Sequence, residues 1–471
     1  MKSAQKKIIR NSRLWFFVAA ACACSEPATH WNQETESTAD SEIDAGGQES
    51  EPSTDIPTDT EPVIPELPEL CKLITETELG VEIRQFPLSG DGSAESPDMA
   101  FSTDNVESLM VFSYIEAGTV WDVKTASYRT AVDTADGGIT YTHALGDIAS
   151  PSAGEVKGEF PSVAFGQGVY ALVWLDGRFN PDCTQDALVG CRKDVVVQPV
   201  DVDGNPLGDV AALTEDVSGN PIGRPAVAAV PDGFIAVWTQ LNEGVNQLVG
   251  ALLDESLTLR DVPFVLTDTV VDDVYYPRIA SGDAAAVIVF TEDRQTRVSM
   301  LAWPHGEAAP GKESVLLNDP TVSSRDIVVA ATDGGFLTAW SGLLDSGRQI
   351  LVRALDESGS ITGETNQATA VSNNADNPSI AVKGDDYVLA WISDGDNWAE
   401  KCAVSDGCPP QVFATVIDPQ GNMKSKSVML TSDPNESRKV RINWDGTGWT
   451  AVYETWRDKR WQLYFSRMVC E

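Results

Sequence analysis

The fold this sequence predicts is all-β: a seven-bladed β-propeller closed by joining its N- and C-terminal strands. Three observations predict it. A segment of about 14 residues recurs seven times, with anchors at Pro97, Pro161, Pro225, Pro277, Ile327, Pro378 and Val440, 50 to 64 residues apart. The clearest copies are Pro161–Trp174, Pro225–Trp238 and Pro378–Trp391. A period of this size with strand-like content means stacked β units. The strands of each copy are almost continuously apolar, so they are buried on both faces, as when blade packs on blade. Finally, the last repeat lacks its fourth strand, and a strand-like segment stands spare before the first repeat.

The chain begins with an export signal. Lys2, Lys6, Lys7, Arg10 and Arg13 form a positive region, and Leu14–Ala23 is an apolar stretch too short to span a bilayer. Residues 1–23 are therefore assigned to the signal. The run Ala21-Cys22-Ala23-Cys24-Ser25 resembles the lipobox of bacterial lipoproteins. That resemblance implies Cys24 as a lipidated mature N-terminus, with Cys22 as the other candidate. Ser25 after it implies sorting to the outer membrane. Ordinary cleavage and plain secretion is the alternative.

Residues 24–70 are assigned to a linker. From residue 25 onward it carries thirteen Asp or Glu and no Lys or Arg, with much Pro, Ser and Thr. Such a composition cannot bury enough apolar surface to fold, and its charges repel one another. A lipid followed by a long spacer would hold a folded domain, residues 71–471, away from the membrane.

Within each repeat, strand A follows the anchor and a tight Gly or Asp turn such as Pro231-Asp232-Gly233 leads into strand B. Strand B ends on an aromatic: Phe112, Trp174, Trp238, Phe290, Trp340, Trp391 or Tyr453. A large ring repeated at one strand position fills the wedge between adjacent sheets. Strands C and D complete the blade. After the seventh A–B pair, Trp461–Met468 reads as strand C with no strand D behind it. Val81–Leu88 precedes the first strand A and is expected to supply it, with Cys71 and Cys470 bonded across the seam. The remaining cysteines suggest Cys183–Cys191 and Cys402–Cys408, each local to one long B–C loop. The pattern, with its tail Trp174-Leu175-Asp176-Gly177-Arg178, resembles the blade repeats of bacterial surface lipoproteins.

The formal net charge is −38. Phosphate backbones and anionic membrane surfaces would be repelled, so nucleic acid is excluded as a partner and the membrane is met only through the lipid. His143 and His305 are the histidines of the folded part, in different blades, which leaves little for His-based catalysis or a multi-His metal site. There is no Gly-x-Ser-x-Gly elbow. Asn443–Trp449 departs from the Asp-box repeat of propeller sialidases. No cofactor is required. Carboxylates converging on one face would suit Ca²⁺, although hairpin-turn chemistry and solvation explain them better. The stretch Asp201-Val202-Asp203-Gly204-Asn205 reads as a turn.

The B–C loops Leu175–Asp194 and Ile392–Gln411 are long while the opposite turns are minimal. Long loops on a rigid scaffold are where recognition groups sit. Asp176, Arg178, Asp394 and Trp398 are the candidate contacts. The expected function is a cell-surface, tethered, non-catalytic binding or scaffolding module for a protein or glycan. The alternative is a secreted carbohydrate-active hydrolase or lyase with paired carboxylates on the same face. One raised-pKa and one ionised carboxyl at the channel mouth would mark the alternative.

Overall fold

The computed structural model describes residues 67–470, apart from 74–92, 103–106, 116–120, 134–139, 152–157, 181–191, 215–218, 268–272, 294–295, 311–313, 370–373, 394–408 and 432–434. There is no helix among the described residues. The strands form seven four-stranded antiparallel sheets. In blades 1 to 6 the four strands follow one another in sequence. The inner strands are Ser93–Phe101, Gly158–Gly166, Asn220–Val230, Val274–Ser281, Ser324–Thr332, Ala375–Lys383 and Ser437–Trp444. Each touches the inner strand of the next blade, and that of blade 7 touches that of blade 1, so the ring is closed.

The reason the ring holds is legible in its core. The buried apolar residues fall into seven clusters, each shared by two neighbouring blades. The aromatic that ends the second strand of a blade packs against the blade before it. Trp238 lies with Val173 and Ala164, and Phe112 lies with Val452 and Phe465 across the seam. Phe112, Trp174, Trp238, Phe290 and Trp340 are fully buried. The expectation that this stripe fills wedges is met. Burying an indole or phenyl ring removes 150–250 Å² from water, which makes these positions the largest single contributors to inter-blade cohesion.

Closure differs from the expectation in one element. The fourth strand of blade 7 is Cys71–Leu73, paired antiparallel with the C-terminal strand Arg460–Cys470 in the register Cys71↔Cys470 and Leu73↔Met468. Val81–Leu88 lies outside the described residues. A disulfide joins Cys71 to Cys470 across the seam. Placing the bond at the pair of strand ends explains why three residues suffice: the covalent link supplies what a short ladder lacks. The pairs Cys183–Cys191 and Cys402–Cys408, and Cys24, fall outside the described residues.

The C–D turns lock each blade to the one before it. In blades 5 and 6 the turn glycines Gly359 and Gly421 have φ of 82° and 87°. A Cβ on Gly421 would lie 2.5 Å from the Cβ of Val352, and one on Gly359 2.8 Å from that of Ala302. The close approach between turn and neighbouring strand therefore requires glycine.

Candidate active site at the axial mouth

The inner strands share an irregularity. In every blade the pairing of first and second strands slips near the start of the first: between Glu95 and Asp98, Glu159 and Ser162, Ile222 and Ala226, Tyr275 and Arg278, Arg325 and Val328, Asp376 and Ser379, and Arg438 and Arg441. The first extra residue adopts a left-handed backbone: Ser96 (φ 57°), Phe160 (55°), Gly223 (75°), Tyr276 (51°), Asp326 (55°), Asn377 (50°) and Lys439 (52°). A bulge of this kind bends the strand and re-aims side chains. For bulky residues the conformation costs on the order of 1–3 kcal/mol each and persists where surroundings impose it.

Those surroundings come from the neighbouring blade. In blades 1, 5 and 7 the residue following the second-strand aromatic reaches across to the start of the next inner strand. Ser113 Oγ accepts from the N–H of Phe160 at 3.0 Å, and Ser341 Oγ donates to Asp376 at 2.5 Å. At the seam the same position is Glu454, wholly buried, which accepts from the N–H of Ser96 and from Arg438 Nε, each at 2.5 Å.

Below the bulges lies an axial cavity of about 340 Å³, rimmed by Asp98, Ser162, Arg278, Ser379 and Arg441. Each of these is the second residue of its repeat. Asp98 accepts from Ser162 Oγ at 2.8 Å and from the N–H of Val163 at 3.3 Å, and its other oxygen lies 3.7 Å from Arg441 Nε. Blade 3 inserts one residue more than the other bulges, Arg224, and its guanidinium sits between the rings of Phe160 (5.4 Å) and Tyr276 (5.8 Å). Arg224, Arg278, Lys439 and Arg441 border a smaller cavity at the mouth. Among the described residues, neither Arg224 nor Arg278 has a hydrogen-bond or ion-pair partner.

Enclosure by the ring works against these charges. Burial, then the neighbouring Arg441 charge, pulls the Arg278 guanidinium down to about 9, with Asp98 opposing. Arg441 is lowered by burial, again against Asp98. Burial raises the carboxyl of Asp326, and the like charge of Asp376 adds to it, while Arg325 at 3.4 Å opposes. Arg325 is itself committed to Asp376 through bonds of 3.2 and 2.6 Å. In a chain of net charge −38, the axis is thus a place where unpaired cations gather near two carboxyls, Asp98 and Asp326.

Two of the residues singled out from the sequence, Asp176 and Arg178, line neither cavity. Asp176 is fully buried, and its oxygens accept from Trp174 Nε1 at 2.7 Å and from Arg178 Nε at 2.9 Å, so both Asp176 and Arg178 are engaged in holding their own loop base. Asp394 and Trp398 lie outside the described residues. Asp201 Oδ1 accepts from the N–H groups of Asp203 (2.9 Å) and Asn205 (2.8 Å). Asp254, Asp356 and Asp418 close equivalent turns in the same way. Asp98, Arg278 and Arg441 escaped notice because they stand in apolar strands. The available signal was a charged second residue in a repeat whose other copies place Ser, Ala or Val there.

No protein-family model and no curated protein sequence matches the chain. Among solved structures, a protein of unknown function from Dyadobacter fermentans is similar over 85% of this chain and 100% of its own, at 9% identity and a TM-score of 0.46. The sialidase of Trypanosoma rangeli is similar over 84% of this chain and 59% of its own, at 9% identity and a TM-score of 0.41. The NanB sialidase of Streptococcus pneumoniae is similar over 84% and 72%, at 9% identity and a TM-score of 0.43. At such identities the likeness concerns the path of the chain. It corrects one expectation all the same. The expected non-catalytic binding or scaffolding module is corrected on this finding: the neighbours named for an activity are sialidases, which accords with the hydrolase alternative.

Proposed function

We propose that the axial mouth hydrolyses glycosidic bonds of an anionic sugar. The observation that carries this reading is the gathering of unpaired Arg224 and Arg278 with Asp98 on one cavity, while Asp326 is buried near enough for its charge to act on Arg278. Glycoside hydrolysis uses a pair of carboxyl groups, one of which gives a proton to the leaving oxygen. Asp326, raised by burial, is the general acid that gives its proton to the leaving oxygen. Asp98, fixed by Ser162 and Val163, faces the positive charge that develops at the anomeric carbon. Arg224 and Arg278 bind the anionic substituent, and desolvated guanidinium groups do so more strongly than exposed ones. Cys24 lipidation and an outer-membrane location remain part of the proposal, since the signal and the acidic spacer favour a tethered enzyme facing extracellular glycans.

The test is a panel of fluorogenic umbelliferyl glycosides, with uronides and sialosides set against neutral glucosides and galactosides. Release from an acidic member, lost in Asp326→Asn and weakened through KM in Arg278→Gln, supports the proposal. Release from none, or equal release from neutral sugars, overturns it.

A further inference from the structure

The bulge residue of blade 7 is Lys439. The bulge turns its side chain to the small cavity at the mouth, which it borders with Arg224, Arg278 and Arg441. The side chain is 15% exposed. Its Nζ lies 3.6 Å from Glu454 Oε1 and 3.8 Å from Glu95 Oε2, both beyond hydrogen-bond length. A lysine normally keeps its hydrated ammonium in water while its stem is covered. Burial here disfavours the charged form. Glu454 opposes that effect, while Arg224 and Arg438 add to it. A desolvated lysine beside other cations is how proteins prepare an amine nucleophile.

We propose that Lys439 forms a Schiff base with small anionic carbonyl compounds, 2-oxo acids or aldehyde acids, whose carboxylate is captured by Arg224 and Arg278. The anionic class follows from the unpaired guanidinium groups beside the amine. The end that meets the amine must be small, because the cavity there has a free volume of about 10 Å³ and admits about one water-sized group. The rest of the ligand extends into the larger axial cavity, which shares Asp98, Arg278 and Arg441 with it. In the reaction the ammonium first gives a proton to Glu454 or Glu95. The freed lone pair then forms a C–N bond to the carbonyl carbon while the C=O π pair moves onto oxygen, and one proton passes from the nitrogen to that oxygen to give a carbinolamine. The glutamate returns its proton to the hydroxyl, which leaves as water while the nitrogen lone pair forms the C=N bond of a protonated imine. One amine and one carbonyl give one imine and one water, with no oxidant or reductant. The inference goes beyond the hydrolytic reading and does not depend on it.

The experiment treats the intact protein at neutral pH with glyoxylate and cyanoborohydride, and maps the reduced adducts by peptide mass. Lys439 should be labelled at least about tenfold faster than the exposed Lys383 and Lys424, as expected for an activated amine with a captured electrophile. The advantage should disappear when the uncharged propionaldehyde replaces glyoxylate, and should shrink in Arg278→Gln. Labelling of Lys439 no faster than that of Lys383 and Lys424 overturns the proposal. An equal advantage with propionaldehyde overturns the capture by arginine. Because the comparison is made between lysines of one unmutated protein, it does not rely on any variant folding.

Discussion

Replacing both Cys71 and Cys470 by Ser should release the seam of the ring. The bond links residues 399 apart in sequence. In the chain-entropy model a closed loop of that length restricts the unfolded chain by about 6 kcal/mol at 25 °C, above the usual range for disulfides. The native side has little with which to compensate. The fourth strand of blade 7 is only Cys71–Leu73, so three backbone pairs with residues 468–470 are what remain. The assay is guanidinium unfolding of the oxidised protein and of the double Ser variant, followed by tryptophan fluorescence and far-UV circular dichroism. The variant is preferred to a reducing agent because it changes Cys71 and Cys470 alone. The expected loss approaches about 6 kcal/mol, less whatever compactness the denatured chain retains. A loss below about 1 kcal/mol with an unchanged m-value would refute the reasoning, because packing between blades would then close the ring unaided.

Other outcomes follow from particular contacts. Arg467→Leu leaves Asp445 buried without its partner at 2.6 Å and should cost about 3–5 kcal/mol in urea unfolding. Burial pushes the Asp445 carboxyl upward, but the hydrogen bond and charge of Arg467 outweigh it and hold it below the usual range. Its contribution is therefore present above about pH 4, where an unfolded Asp is ionised, and is lost as pH falls through the lower folded value; Asp445→Asn should flatten that acid limb in a stability–pH series. Gly421→Ala should destabilise by about 1–3 kcal/mol in a thermal melt, since its Cβ would meet Val352 at a left-handed φ. If Asp326 is the general acid, hydrolysis should fall as pH rises past its elevated value. Asp326→Asn should lose about 100- to 10,000-fold on poor leaving groups and far less on leaving groups that need no proton. Cys24→Ala should abolish fatty-acid labelling of the exported protein; unchanged labelling points to Cys22.

The sequence by itself determined the architecture. Repeated apolar strands ending on an aromatic dictate sheets buried on both faces, and seven copies dictate the number of blades, because these are local patterns that packing then repeats. It also located the seam through Cys71 and Cys470. It misplaced the closing strand, because Val81–Leu88 carries a strand-like pattern whereas Cys71–Leu73 is too short to show one and depends on the disulfide beside it. The long B–C loops were visible as lengths, but the charges of Asp176 and Arg178 turned out to serve their own loop base. The mouth was decided by tertiary structure alone. Asp98, Arg224, Arg278, Asp326 and Arg441 stand dozens to hundreds of residues apart, and nothing local ties one to another. Only closure of the ring and the bulge in every inner strand turn them toward one axis, where low solvent access makes their charges act on one another.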